Sequence, residues 1–258
     1  MKSVFSGLIT AFSMYSWIPM PQLEWRRDTM KYALCFFPLV GAVSGAAAVL
    51  WAWLAGIAGV NLLLFSGIAL LIPVFITGAI HVDGFIDTCD ALYSRRDREK
   101  KLEILKDPHV GAFGVISCVC YMLLMLCLIS QVGPDVHLFV LVALGSVLSR
   151  AMSAFSIVTI KTAKNSGLAF IFADNAHKNT VRTVSVLIAA AALAAMAVMN
   201  PLFGVCALLI SAAVYSVFLR ICYKQFGGIT GDLAGFMLQL IELGIMLSAV
   251  ITSLIQNK

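Results

Sequence analysis

The run His81-Val82-Asp83-Gly84-Phe85-Ile86-Asp87-Thr88-Cys89-Asp90 sets three carboxylates within eight residues. It follows directly on a stretch, Tyr32 to Ile80, that has no Asp, Glu, Lys or Arg. A basic run comes after it: Arg95, Arg96, Arg98, Lys100, Lys101 and Lys106. Carboxylates crowded in this way repel one another unless a positive group sits between them. Drawn as a helix that continues the preceding apolar run, Asp83, Asp87 and Asp90 point to about 0°, 40° and −20°, a single narrow stripe, with His81 roughly opposite. Oxygen donors of this kind suit a hard cation. Magnesium typically takes one or two carboxylates, keeps water, and completes its shell with substrate phosphate. Asp83, Asp87 and Asp90 are therefore expected to bind Mg2+, and the basic flank implies a phosphate ligand. A lone helix-end acid more often solvates a terminus, but three on one stripe favour the metal. Zinc is not indicated, because one His beside three carboxylates is not its usual nitrogen and sulfur set. Gly84, beside the first Asp, is expected to let a large group approach closely.

Two further motifs carry charge and glycine together. In Lys106-Asp107-Pro108-His109-Val110-Gly111-Ala112-Phe113-Gly114, Lys106 is suited to neutralise a phosphate as a point charge. Asp107 is suited to complete the metal site or to act as a base. Arg96, Lys100 and Lys101 need no more than a solvated loop helix. In Phe226-Gly227-Gly228-Ile229-Thr230-Gly231-Asp232, glycine-rich backbone can offer N–H groups to phosphate, although the Gly-Lys-Ser/Thr ending of a Walker loop is missing. The plainer reading is a flexible turn with Asp232 capping the helix that follows, and the two readings are compatible. Arg150 and Glu242 lie inside apolar stretches, where charge is costly and faces the bundle interior or a cavity. Either they pair with each other or Arg150 contacts substrate. For Lys161, Lys164, Asn165 and Asp174, in a polar connection, substrate contact is left open.

The elements that must position these groups follow from composition. The chain is 61% hydrophobic and 12% charged, with a mean hydropathy of +0.97, whereas soluble domains carry about 25% charged residues. This composition implies an all-α, polytopic membrane bundle in one domain, 1–258. The seven cysteines have neither disulfide nor zinc spacing and read as small buried hydrophobes. With about 20 apolar residues needed per crossing, spans are expected near 33–58, 60–80, 110–132, 136–160, 183–200, 202–222 and 235–256. Segment 3–18 is expected to be a short interfacial or re-entrant helix. Seven spans place the connections 19–31, 81–109, 161–182 and 223–234 on one side. Together with Arg220 at the end of the sixth span, these hold 15 of the 18 Lys and Arg; the others are Lys2, Arg150 and Lys258. The opposite turns hold none, and a single acid, Asp135. The positive-inside bias then makes the first side cytoplasmic.

At these residues the chain resembles the cobalamin synthase family, the adenosylcobinamide-GDP ribazoletransferases. The resemblance runs nearly end to end. Phe12 to Pro21 is similar to the family's opening F…P-x-P stretch, and Phe37-Pro38-Leu39-Val40-Gly41 to its FPLVG element. His81 to Asp90 is similar to H-x-D-G-x-x-D-T-x-D, Arg95 to Gly114 to R-D-R…L-E-I-x-K-D…G-x-F-G, and Gly227 to Asp232 to G-G-x-T-G-D. Cys89 departs from the Ala common there. The resemblance implies that α-ribazole, or its 5′-phosphate, attacks the phosphate esterified to cobinamide and that GMP leaves. It also implies a bacterial inner-membrane enzyme whose active site faces the cytoplasm. On that picture Asp83, Asp87 and Asp90 hold Mg2+ on the diphosphate. The candidate catalytic residues are Asp232, Asp107, His81 and Lys106, with Asp232 or Asp107 handling the attacking hydroxyl. The candidate substrate contacts are Arg95, Arg98, Arg150, Gly228, Thr230 and Gly231. Membrane lipid is an expected partner and nucleic acid is not; homo-oligomerisation stays open. The competing readings are a lipid phosphotransferase of the CDP-alcohol type, whose acids are spaced differently, and a divalent-cation transporter.

Overall fold

In the computed structural model, residues 2–24 and 26–256 are described; Met1, Trp25, Asn257 and Lys258 lie outside that range. Twelve α-helices are found among the described residues. Two precede the bundle, α1 (Lys2–Tyr15) and α2 (Arg27–Met30). Then come α3 (Ala33–Ala58), α4 (Leu62–Thr77), α5 (Ile80–Tyr93), α6 (Arg98–Ile104), α7 (Ala112–Val132) and α8 (Val136–Thr159). The chain closes with α9 (Leu168–Asn175), α10 (Lys178–Met199), α11 (Pro201–Ile221), a π-helical turn (Cys222–Phe226) and α12 (Gly231–Gln256). Six of these, α3, α7, α8, α10, α11 with its π turn, and α12, are long and apolar enough to cross a membrane. The bent pair α4–α5 brings the number to as many as seven. The molecule is the polytopic helical membrane bundle its composition implies.

Polar residues in the sparsely charged turns are there to start helices. Asn61 accepts from the Leu64 N–H at 2.9 Å, Asp135 from Leu138 at 3.0 Å, and Asn200 from Phe203 at 3.1 Å. Each satisfies one of the orphan donors of a helix N-terminus. Pro201 occupies the first helical position after Asn200, where its missing N–H costs nothing. The Asn200 amide also donates to Gln256 Oε1 at 2.9 Å, tying the end of α12 to this face.

The second span departs from expectation. The apolar helix ends at Thr77, and Gly78 and Ala79 both adopt left-handed backbone, φ 61° and 60°. The chain turns by 95° before α5 begins, so α5 does not continue the second span. Left-handed backbone costs an L-residue such as Ala79 about 1–2 kcal/mol. The turn is held by the segment after α1: the Trp17 N–H donates to the Ile76 carbonyl at 2.8 Å. The Trp17 indole fills the space where a side chain on Gly78 would stand. Beyond the bend α5 packs against α12 and α7, with Val82, Phe85 and Cys89 buried and Asp83 exposed. The carboxylate stripe therefore survives, but on a separate helix. α1, at 14 residues, is shorter than a crossing requires.

The strongly basic connections meet at one end of the bundle. The His177 N–H donates to the Lys31 carbonyl at 3.0 Å, and the Ala163 N–H to the Ile229 carbonyl at 2.9 Å. The Lys101 ammonium reaches Gln225 Oε1, and the Lys164 ammonium reaches the Leu102 carbonyl. Loops remote in sequence are thereby tied to one another at that end.

Candidate active site

At that end lies a cavity of about 300 Å3. Its charged lining is Asp83 from α5, Asp232 from the first turn of α12, Lys106 after α6, and Lys164 between α8 and α9. Thr230 lines it too, while Tyr15, Phe37 and the buried His81 form an aromatic wall, with the Phe37 and His81 ring centroids 5.5 Å apart. Two carboxylates and two ammonium groups from four separate segments thus share one hollow.

The crossing of α5 and α12 fixes the carboxylates relative to each other. A Cβ on Gly84 would lie 2.9 Å from both the Cα and the carbonyl oxygen of Asp232. The large group that Gly84 admits is therefore the α12 backbone. Small residues of this kind let membrane helices approach closely. Beside the crossing, Phe85 stacks on Phe236 with centroids 5.5 Å apart. Gly84→Ala is expected to push the helices apart and cost roughly 1–3 kcal/mol. Thermal unfolding in detergent measures this, and unchanged unfolding would sink the close-crossing argument.

The acidic motif divides by role. Asp83 opens into the cavity. Asp87 is half-buried beside it. Burial, then Asp83, Asp232 and Asp90, push the Asp87 carboxyl up to about 6. Burial and like charge both disfavour the ionised carboxylate there. Asp90 faces α7: its two oxygens accept from the Gly111 N–H at 2.7 Å and the Gly114 N–H at 3.1 Å. It caps that helix from another segment. Among the described residues, no three His, Cys, Asp or Glu side chains converge into a ready-made cation cage. Asp83 and Asp232 in the cavity, with Asp87 alongside, nevertheless suit a hard cation whose shell is completed by water and phosphate.

The remaining expected residues fall into three groups. Lys106 reaches the cavity, but Asp107 does not line it. Asp107 is exposed and accepts from the His109 N–H at 2.9 Å, with His109 Nδ1 at 2.8 Å. These contacts hold its carboxyl below the ordinary value. In the glycine loop, Thr230 and not Asp232 caps α12, its hydroxyl accepting from the Leu233 N–H at 3.2 Å. Asp232 lines the cavity, its Oδ2 accepting from the Thr230 hydroxyl at 3.3 Å. The Gly228 N–H donates to the Cys222 carbonyl at 2.9 Å and the Ile229 N–H to Lys161 at 2.8 Å. The loop is thus neither flexible at this point nor offering these two donors to phosphate. Gly231 stands in open space at the helix start.

Arg95 and Arg98 are exposed and line no part of the cavity. The Arg98 guanidinium lies against Gly227, where a side chain would collide with it. Of the two readings left open for Arg150, the structure shows the pair with Glu242. It is 1% exposed, and its guanidinium donates to Glu242 at 2.5 Å and to the Ser146 carbonyl at 2.9 Å. Sequence reading left Lys164 undecided and passed over Tyr15 and Phe37. The polar run Lys161 to Gly167 after an apolar span was the available signal for the first; the two aromatics stood only inside the family-like stretches Phe12 to Pro21 and Phe37 to Gly41, with no role attached.

Fold and site together define a class: a polytopic helical membrane protein with carboxylates and lysines facing one another in a cavity at its basic end. A model of the cobalamin-5-phosphate synthase family matches residues 7–250, and the chain belongs to that family. It is 38% identical over 246 residues to an adenosylcobinamide-GDP ribazoletransferase of Lachnoclostridium phytofermentans, covering 95% of this chain and 94% of the relative. Relatives of the same name in Clostridium botulinum (strain Alaska E43) and Clostridium perfringens (strain 13) are 36% and 32% identical. They cover 96% and 97% of this chain, and 98% and 100% of their own lengths. No solved structure matches the chain.

Proposed function

We propose that the protein joins adenosylcobinamide-GDP to α-ribazole, or to its 5′-phosphate, at the cytoplasmic face of a bacterial inner membrane. A ribose hydroxyl attacks the phosphorus esterified to cobinamide, the bond from that phosphorus to the bridging oxygen breaks, and GMP leaves with the bridging oxygen. The products are adenosylcobalamin, or its 5′-phosphate, and GMP. The observation that carries this reading is the meeting of Asp83 and Asp232 with Lys106 and Lys164 in one cavity. Phosphoryl transfer asks chiefly for positioning and charge neutralisation. Lys106 offsets negative charge on the diphosphate. Asp232, released from capping, accepts the hydroxyl proton. Asp83 and Asp87 would hold Mg2+, which when bound supplies Lewis-acid neutralisation of the diphosphate oxygens. The aromatic wall of Tyr15, Phe37 and His81 limits water at the inner end of the cavity.

The test is direct. Purified protein with adenosylcobinamide-GDP, α-ribazole and Mg2+ should release GMP, and folded protein that releases none refutes the reading. A cation transporter would place its ligands near the bilayer midplane, whereas these acids gather at one end of the bundle.

The Asp87 carboxyl also predicts a pH dependence. Because burial and the neighbouring carboxylates push it up to about 6, protons should compete with the cation below that pH. Thermal protection of the detergent-solubilised protein by Mg2+ should weaken as pH falls from about 7.5 to about 5.5. Asp87→Asn should flatten that change; protection that is the same at both pH values would count against the carboxylate cluster as the cation site.

A further inference from the structure

We infer that Lys164 is a second substrate-phosphate ligand, held at the cavity by the pairing of its loop with the glycine loop before α12. The inference rests on the transferase reading for the identity of the phosphate, which is a diphosphate ester. Its structural basis is separate. Residues 161–163 and 229 form a short parallel bridge: the Ile229 N–H donates to the Lys161 carbonyl at 2.8 Å, and the Ala163 N–H to the Ile229 carbonyl at 2.9 Å. Gly228 permits this contact. A Cβ there would stand 2.3 Å from the Lys161 carbonyl oxygen and 2.6 Å from the Ala163 nitrogen. Gly228 thus acts by seating the lysine loop, a role distinct from offering its own N–H group to an anion.

The bridge leaves Lys164 directly against the cavity that holds Lys106, Asp83 and Asp232. Its ammonium gives one bond to the Leu102 carbonyl, and an ammonium has three donors, so two remain for a ligand. Burial and the nearby Lys106 both hold the Lys164 ammonium below its ordinary value, with Asp232 opposing them. Two cations forced together in a half-closed space gain most when a polyanion lies between them. A diphosphate fits that requirement, and Lys106 and Lys164 approach it from separate loops.

Lys164→Gln separates this role from a merely structural one. The amide removes the charge while keeping an N–H donor, on a side chain one bond shorter, and Lys164→Arg keeps the charge. Binding of inorganic pyrophosphate with Mg2+ to the purified protein is the readout, with GMP release as the second. Loss of one charge-assisted bond predicts roughly 10- to 100-fold weaker pyrophosphate binding in Lys164→Gln, and near-normal binding in Lys164→Arg. Wild-type binding by Lys164→Gln overturns the inference, as does equal loss in a folded Lys164→Arg. Should Lys164→Gln fail to fold, Gly228→Ala shifts the loop while leaving the lysine in place. It is expected to weaken pyrophosphate binding several-fold, and wild-type binding by that variant overturns the inference equally. Pyrophosphate contains no corrinoid, so protein that binds it through Lys164 yet releases no GMP would refute the transferase reading alone.

Discussion

Asp83→Asn is expected to lower turnover by about a hundredfold to a thousandfold, the range seen when a single preorganised electrostatic contact to a reacting centre is removed. Asp90→Asn should be close to silent, although both residues belong to one motif on one helix stripe. The difference follows from what each carboxylate touches. Asp83 opens into the cavity opposite Lys106 and Lys164. The oxygens of Asp90 are taken by the Gly111 and Gly114 N–H groups at the start of α7. Asparagine caps a helix about as well as aspartate, so Asp90→Asn keeps one acceptor, whereas Asp90→Ala removes both and should cost about 1–2 kcal/mol. The measurements are GMP release per folded molecule and thermal unfolding in detergent. Equal losses of turnover in Asp83→Asn and Asp90→Asn, without loss of stability, would show that both acids act on the reaction and that the cap is incidental.

This division could not be seen in the sequence, and the reason is physical. Periodicity reports which residues share a face of a helix, and Asp83, Asp87 and Asp90 do share one. It does not report which neighbour each finds. Asp90 meets α7 through chain turns that no local pattern encodes. The break after Thr77 was hidden for a similar reason. Gly78 alone hinted at it, while the left-handed Ala79 and the 95° turn depend on Trp17, which arrives from the other side of α3. Strong local signals fared better. The α3 boundaries, Ala33–Ala58, coincide with the expected span because an uninterrupted apolar run stops at Gly59, which adopts φ 63°. α10 starts at Lys178, ahead of the expected 183, because its first turn is polar and a hydropathy reading counts only the apolar part. Lys106 and Asp107 are adjacent, yet one reaches the cavity and the other is held by His109. The motif locates such a pair to within a turn of chain, and tertiary contacts decide which member faces inward.

The second large effect concerns the buried pair. Glu242→Gln and Arg150→Met are each expected to destabilise the protein by about 3–5 kcal/mol, because each leaves one partner without its compensation in a poorly solvated interior. Arg150 is 1% exposed and the Glu242 side chain 13%. Besides Glu242, the guanidinium donates to the Ser146 carbonyl and to Ser149 Oγ, while its Nε is buried without a partner among the described residues. Removing the acid leaves a cation that α8 cannot expel to water. Removing the arginine leaves Glu242 with a bond from Ser149 at 3.3 Å, a weaker partner, and protonation of the acid would offset part of the cost. The double variant Arg150→Met/Glu242→Leu should recover most of the stability, since apolar replacement of both members of a buried pair is often neutral or favourable. The cycle of single and double variants isolates the coupling. Unfolding in a denaturing detergent series supplies the stability, and GMP release by the double variant supplies the function. Near wild-type turnover in a refolded, stable double variant confirms Arg150 as a pillar between α8 and α12. A double variant that is stable yet binds adenosylcobinamide-GDP far more weakly would return Arg150 to the substrate and overturn the structural assignment.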